Sequence, residues 1–430
     1  SDGGGVTFSA LGFGPLVPVY KEDGSLSGPL KDGAQMNNPV ALINDQVVDK
    51  FRNYFQGTAF LEWEILSGLK FKTAWTYTYS DRKQRQFTSG ENLLSYKGQG
   101  YAYMNDQETT NWLGENTLTY SKTFNKDHSL NVVAGFTAEA SEYFNNNSSG
   151  KGFDIESLGY WNMGLANSSL LSVASGGNHS AIASWLGRVN YAYKGKYLAS
   201  VSFRADGSSR FSKNKWGFFP SVAAAWTISN EKFMKNVKAV QDLKLRASFG
   251  IVGNQAIDPY STLGLMTQTK YNFGTSSDYV GYWANDIATP ELTWEKTRQF
   301  DVGLDFSMFN HRLSMSVDYF DKRTTDALLK KTMPNYKGGA SYWVNDGEIS
   351  NRGVDISLTA HLIQHKNFTW STTVNGTYLK NRVEKLAGGE NDYFCGSKPA
   401  SGMVDEASII KPGYAIGSFY GYIWTGLDES

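Results

Sequence analysis

Only one cysteine, Cys395, occurs among the 430 residues, so no internal disulfide can staple the fold, and a chain of this length does not need one. Histidine is nearly as scarce, with five, and a zinc site is not expected from so few ligands. Charge of one sign is missing too. Lys+Arg and Asp+Glu both total 41, which leaves no basic excess for a nucleic-acid surface or a polybasic membrane anchor. No apolar run reaches the length of about 18 residues that a membrane-spanning helix requires, and the mean hydropathy is negative. A multi-helix membrane protein is excluded. The sequence also lacks heptads, a Walker loop, a dinucleotide fingerprint and internal repeats. Ser1 to Gly5 have neither the charged nor the apolar region of a signal peptide, so an export signal is expected upstream of this sequence.

Aromatics and glycine are abundant. There are 25 Tyr, 25 Phe, 12 Trp and 44 Gly, a mixture that favours strands joined by Gly/Asn/Ser/Asp loops. The dominant signal is period-two alternation. Leu69, Phe71, Thr73, Trp75, Tyr77 and Tyr79 share one face, with Lys70 and Lys72 on the other. Tyr197, Ala199, Val201, Phe203 and Ala205 oppose Ser200, Ser202, Arg204 and Asp206. The same grammar runs through 130–138, 189–193, 218–228, 243–249, 300–306, 313–319, 354–362 and 368–378. None of the apolar-face positions in these segments is charged, although 19% of the chain is. A lipid-facing Lys or Arg at mid-bilayer costs about 2–4 kcal/mol, whereas a charge facing a wet lumen stays hydrated.

A soluble sandwich also alternates, and loop lengths separate the two. Short connections at 66–68, 125–128, 194–196, 309–312 and 363–367 alternate with long ones near 80–111, 143–180, 207–216, 252–292, 324–351 and 382–416. Residues 229–242 occupy a short-turn slot that holds a helical turn. Tight periplasmic turns and long extracellular loops are the mark of an outer-membrane barrel. The fold class expected is therefore all-β: an incomplete, antiparallel, up-and-down transmembrane β-barrel with about 14–15 strands in this chain. Residues 1–57 read mainly as a loop entering the barrel, and 58–427 as barrel strands.

Beyond this reading, the stretch "RVNYAYKGKYLASVSFRADGSSRFSKNKWGFFPSVAAAWTISNEKFM", followed by "DLKLRASFGIVGNQ" (188–255), closely resembles SusC/RagA-type TonB-dependent transporters. Asn38-Pro39, 292–329, 345–360 and 412–427 fit the same family in order. The resemblance implies a barrel of about 22 strands with a plugged lumen, located in the Gram-negative outer membrane. It also implies energised import of oligosaccharide, with peptide as second cargo. A SusD-like surface lipoprotein would form the lid, and the TonB complex would act through an N-terminal region that this sequence does not contain. A plug domain is likewise missing. No cofactor, enzymatic activity or nucleic-acid partner is implied.

Candidate residues carry competing readings. Asp206, Gly207, Ser208, Ser209, Arg210 and Phe211 form the sharpest motif. It is either a substrate- or lid-facing tip, or loop architecture with Arg210 paired to Asp206 or a neighbouring strand. Trp216, Gly217 and Pro220 open a descending strand with an interfacial ring, and Pro220 predicts a bulge or kink. Gly253 and Asn254 open a loop holding Tyr260, Tyr271, Tyr279, Tyr282 and Trp283, rings suited to stacking on sugar faces or to a small loop core. Tyr96, Tyr101 and Tyr103 in the 80–111 loop have the same two readings. Glu62 and Glu64 could be proposed as glycosidase carboxylates, yet their spacing suits one wall of the lumen better. A non-transporting surface carbohydrate-binding protein or adhesin is the alternative, and it predicts neither an uncharged stripe nor asymmetric loops.

Overall fold

A computed structural model describes residues 6–27, 37–90, 99–272, 274, 279–333, 336, 338–386, 393–395, 408–421 and 423–426. Two short helices, α1 (Val6–Gly12) and α2 (Pro39–Asn44), come first. The strands are β1 (Gln46–Leu66), β2 (Leu69–Thr88), β3 (Tyr101–Phe124), β4 (His128–Lys151), β5 (Ser172–Tyr193), β6 (Tyr197–Ser208), β7 (Trp216–Thr227), β8 (Val240–Asn254), β9 (Met266–Tyr271), β10 (Tyr279–Ala284), β11 (Glu295–Met308), β12 (Leu313–Thr325), β13 (Leu328–Thr332), β14 (Ser341–Asn345), β15 (Glu348–His365), β16 (Phe368–Lys385), β17 (Tyr393–Cys395), β18 (Ser408–Ile410) and β19 (Ser418–Phe419). Among the described residues, no helix is long and apolar enough to cross a membrane.

One sheet of 12 strands dominates, in the order β1-β2-β3-β4-β5-β6-β7-β8-β11-β12-β15-β16. Chain neighbours pair, as an up-and-down meander requires, and β5 through β16 pair antiparallel throughout. The expected 14–15 strands are thus 12 in the main sheet. β9–β10, β13–β14 and β17–β18–β19 form small sheets within the long connections. The expectation that 1–57 is mainly loop is also corrected: α2 leads straight into β1 at Gln46. Asp49, Lys50, Arg52 and Asn53 put polar side chains on both faces of the start of β1, and this blurs its alternation. Strands β2 to β5 run 20–24 residues, far more than the 9–11 or so that cross a bilayer. The loops between them are correspondingly shorter than the sequence suggested.

Contacts gather into two compact units, 1–59 with 75–113 and 139–179, and 60–74 with 114–138 and 180–430. In the first, Phe87, Ala102, Phe153, Tyr160 and Ala166 bury one another. Asn38 is wholly buried there. It caps α2 by accepting from the Val40 N–H at 3.0 Å and donates to the Val19 carbonyl at 2.9 Å, and Pro39 fits the first helical position that follows. Tyr160 donates to Asp49, which pushes its phenol pKa above the usual value.

In the second unit the two faces of the sheet differ as the alternation demands. Val201, Phe203, Phe218, Val222, Leu245, Phe249, Phe300, Tyr319, Ile356, Trp370 and Val374 all lie exposed, Tyr378 at 71%. A stripe this greasy left uncovered belongs against hydrocarbon, since soluble monomers rarely expose so large an apolar patch. The opposite face is stitched by hydroxyls and amides. Ser202 meets Ser221 at 2.6 Å, Thr297 meets Thr324 at 2.8 Å, and Ser357 donates to Asn375 at 2.8 Å. Tight turns close one end, and Lys194 and Gly195 both take positive φ, as a two-residue primed turn needs.

In the intact protein with Cys395 replaced by Ser, a spin label at Thr372→Cys should be relaxed by oxygen dissolved in lipid and shielded from a water-soluble nickel chelate. One at Thr359→Cys should show the reverse. Equal chelate access at both sites would contradict the two-faced sheet.

Candidate functional site

The Asp206–Phe211 motif is built into the loop end of the sheet. Asp206 pairs with Ser184 on β5 and Gly217 on β7, and it is buried. Its partner is Arg204, whose Nε donates to Oδ1 at 2.7 Å while Nη2 reaches Ser184 Oγ at 3.0 Å. The expected Asp206–Arg210 pair is not the one formed. Arg210 instead donates to the Ile257 carbonyl at 2.6 Å, tying the motif to the next long connection. Ser209 exchanges two hydrogen bonds with the Ala181 backbone, both 2.9 Å, and Ser208 Oγ accepts from the Arg210 N–H at 3.2 Å. Phe211 is fully buried with Phe219, Ile257, Leu292 and Trp294.

Phe219 explains two of the signature glycines. A Cβ on Gly217 would stand 2.4 Å from the Phe219 ring, and one on Gly253 2.1 Å. Phe219 therefore lies on bare backbone from two strands. Trp216, on the outer face, is 48% exposed, as an interfacial ring should be. Pro220 does not make the expected bulge. It pairs with Phe203 in unbroken register, and β7–β8 pairing begins only at Ser221, so its missing N–H falls where no ladder bond is needed. Asn254 donates to Glu295 at 3.1 Å and accepts from the Ala256 N–H at 3.1 Å, fixing the start of the loop.

The ring candidates separate. Tyr271, Tyr279, Tyr282 and Trp283 stand on the β9–β10 hairpin, all exposed. Tyr260 sits in a turn at φ 68°. Tyr101 and Tyr103 lie on β3 rather than in a loop, and Tyr96 falls outside the described residues. Glu62 pairs with Lys70 at 3.2 Å, and Glu64 accepts from the Gly68 N–H at 3.3 Å, so both serve the sheet wall.

The sequence did not reveal the ion cluster on the polar face. Arg246 on β8 grips Asp305 with two bonds, 2.8 and 2.9 Å, and reaches Asp318 at 3.0 Å. Ser316 Oγ lies within hydrogen-bond reach of both carboxylates, 3.0 Å from Asp305 and 3.1 Å from Asp318, with one proton to share between them. Gly303 pairs with Arg246 on one side and Asp318 on the other. A Cβ there would lie 2.0 Å from Asp318 Oδ1 and 2.9 Å from Arg246 Cζ, so the bridge crosses the strand only because residue 303 is glycine. Beside the cluster a recess of about 560 Å³ is floored by Ala223, Ala225 and Ser200, with Lys244, Arg246 and Asp301 along its wall.

At the turn end, Glu231 accepts from Lys196 at 2.8 Å, Tyr197 at 2.7 Å and Trp226 at 3.2 Å. Those donors, Lys196 foremost, pull its pKa down to about 2. Tyr193, Tyr197 and Trp226 stack in a row, with centroids 6.4 and 6.5 Å apart.

A sheet with an exposed greasy face, a polar ion-paired face, tight turns at one end and long connections at the other is the wall of an outer-membrane β-barrel. The chain belongs to the TonB-dependent receptor family: the model described as "TonB dependent receptor-like, beta-barrel" matches residues 7–401. Within that family it is of the SusC/RagA type. The TonB-dependent receptor P3 of Formosa agariphila is 34% identical over 427 residues, 99% of this chain and 42% of that protein. The TonB-dependent receptor SusC of Bacteroides thetaiotaomicron is 37% identical over 253 residues, 56% of this chain and 25% of that one. Among solved structures, one of the RagAB peptide transporter matches with a TM-score of 0.82 at 25% identity, covering 95% of this chain and 44% of that chain. The chain thus spans less than half the length of these relatives. The family is one of receptors, not enzymes.

Gly303→Ala should destabilise the sheet by about 1–3 kcal/mol through overpacking. Gly187→Ala, where a Cβ meets nothing within 4 Å, should be near neutral; urea midpoints of the heat-modifiable band on gels would show it. A depressed carboxylate stabilises above its unfolded pKa, and that contribution disappears as pH falls through the folded value. The turn-end clasp should therefore weaken between about pH 4.5 and 2. The wild type should lose more thermal stability across that window than Glu231→Gln does, and parallel pH profiles would refute this role.

Proposed function

We propose that the intact protein imports an oligosaccharide across the outer membrane. Import is energised by TonB through a plug and N-terminal region that precede this stretch of barrel wall, and a SusD-type surface lipoprotein closes over the loop end. The cargo reading is carried by one observation: the β8–β11 connection lifts four exposed rings, Tyr271, Tyr279, Tyr282 and Trp283, onto a hairpin at the loop end of the sheet. Exposed rings cost free energy unless something covers them, and the C–H face of a pyranose is a natural cover. The polar, ion-paired inner face supports a hydrated path behind such a site. Peptide is the second reading, favoured by the likeness to the RagAB peptide transporter.

Pulling the tagged, full-length protein from its native outer membrane should bring down a surface lipoprotein in equal amount. Deleting the gene should abolish uptake of the oligosaccharides found with the complex while monosaccharide uptake persists. A bound pool made only of peptides would turn the cargo reading to peptide. Unchanged uptake of everything that co-purifies would overturn import itself.

A further inference from the structure

The register of the β9–β10 hairpin sorts its rings by face, and the two faces differ in kind. Tyr279 pairs with Tyr271, Gly281 with Thr269, and Trp283 with Thr267. Directly opposed residues share a face, so these six residues form one surface. It carries two threonine hydroxyls, two phenols and an indole, and no charge. Tyr282 falls on the reverse with Met266, Gln268, Lys270 and Val280, and that side holds the hairpin's only described charge, Lys270.

Gly281 lies between the two rings of β10. Tyr279 and Trp283 are four residues apart on one strand, about 13 Å along it, and the position between them has no side chain. Nothing in the fold requires glycine there. Its φ is not in the left-handed region, and a Cβ would meet Thr269 Cγ2 at an ordinary 3.6 Å. This glycine leaves an open floor flanked by two rings and edged by Thr267 and Thr269. The rings themselves stay half exposed, Tyr279 at 51% and Trp283 at 44%.

The platform is held at its base. The N–H groups of Asn285 and Asp286 both donate to the Leu265 carbonyl, at 3.0 and 3.3 Å. Ser341 on β14 donates its N–H to Asn285 O at 3.1 Å and accepts from the Ile287 N–H at 2.8 Å. Lys330 on β13 reaches Asp286 at 3.4 Å. The root of the β9–β10 hairpin is thus tied to the turn end of the β13–β14 hairpin, where Ser341 pairs with Thr332.

We infer that the Thr267–Thr269–Tyr271 and Tyr279–Gly281–Trp283 face is a binding subsite for a neutral, unbranched stretch of oligosaccharide. One sugar seats over Gly281, its neighbours stack on Tyr279 and Trp283, and the threonines take its hydroxyls. The inference rests on the oligosaccharide reading above and locates it. Matching charge decides the class of ligand: a surface with no ionic group among its described residues fits a ligand with none, whereas a peptide brings terminal charges, and often charged side chains, that these residues do not pair.

The test uses the full-length protein with its co-purified lipoprotein in detergent. The probes are neutral linear hexasaccharides of the gluco-, manno- and xylo- series, read by titration calorimetry. Trp283→Ala, Tyr279→Ala and Gly281→Val should each weaken binding of the preferred probe about tenfold, the scale of one lost stacking contact. Val280→Ala, on the reverse face, should stay within about twofold. Heat-modifiability on gels establishes that each variant folds; valine suits a strand, so Gly281→Val tests the floor without removing a ring. Should the wild type bind a probe and the face variants match it, or Val280→Ala lose as much as they do, this subsite is overturned while the cargo reading stands. Face variants that keep the sugar but shed the lipoprotein would make the hairpin a protein seat and overturn the subsite. A wild type that binds peptides and none of these sugars would overturn both readings together.

Discussion

Water is absent from the core of a bilayer, so every backbone N–H and C=O at that depth must find its partner inside the protein. The meander of β5 to β16 meets that demand with an antiparallel ladder in which chain neighbours are spatial neighbours. Side chains then face only two environments. The uncharged stripe on one side and the ion-paired surface on the other are both consequences of that ladder, because period two sends alternate residues to opposite media. Tight turns add no more backbone than the reversal of direction needs, and elaboration is left to the other end.

Elaboration at that end has its own chemistry. Phe211, Phe219, Ile257, Leu292 and Trp294 bury one another, although the sheet below them has no interior core of this kind. Around them, Arg204, Asp206, Ser209 and Arg210 spend their hydrogen bonds on backbone and neighbouring strands. The motif most suggestive of ligand binding in the sequence is thus occupied in holding loops to strands. The residues left with exposed rings stand further along the same connection, on a hairpin whose six-residue strands make no contribution to the main sheet.

Legibility in the sequence followed the physics. Segments such as Leu243–Phe249 and Phe300–Phe306 could be read because lipid enforces alternation on every residue. The turn slots could be read because tight reversals restrict residue choice. β1 escaped because Asp49 and Asn53 interrupt the face of Phe51 and Phe55. The seat of Phe219 on Gly217 and Gly253, and the passage of Arg246 over Gly303 to Asp318, escaped for another reason: each depends on cross-strand register, which joins residues tens of positions apart. The identity of Asp206's partner is of the same kind. Two residues away on its own strand, Arg204 was the nearer choice, and only the buried geometry of the strand end selects it over Arg210.

The bridge over Gly303 bears on how the strands find one another. Slipping β11 by one residue against β8 would turn Asp305 toward hydrocarbon and leave Arg246 without its grip. A matching slip of β8 would send the guanidinium into lipid at a cost of about 2–4 kcal/mol. Hydrophobic stripes alone discriminate poorly among shifts of two residues, since leucine replaces phenylalanine readily. A guanidinium that must meet two carboxylates across a side-chain-free gap has no second alignment. The cluster therefore favours one register among three strands over its neighbours, and its charges hold the alignment of β8, β11 and β12 as well as wetting the inner wall.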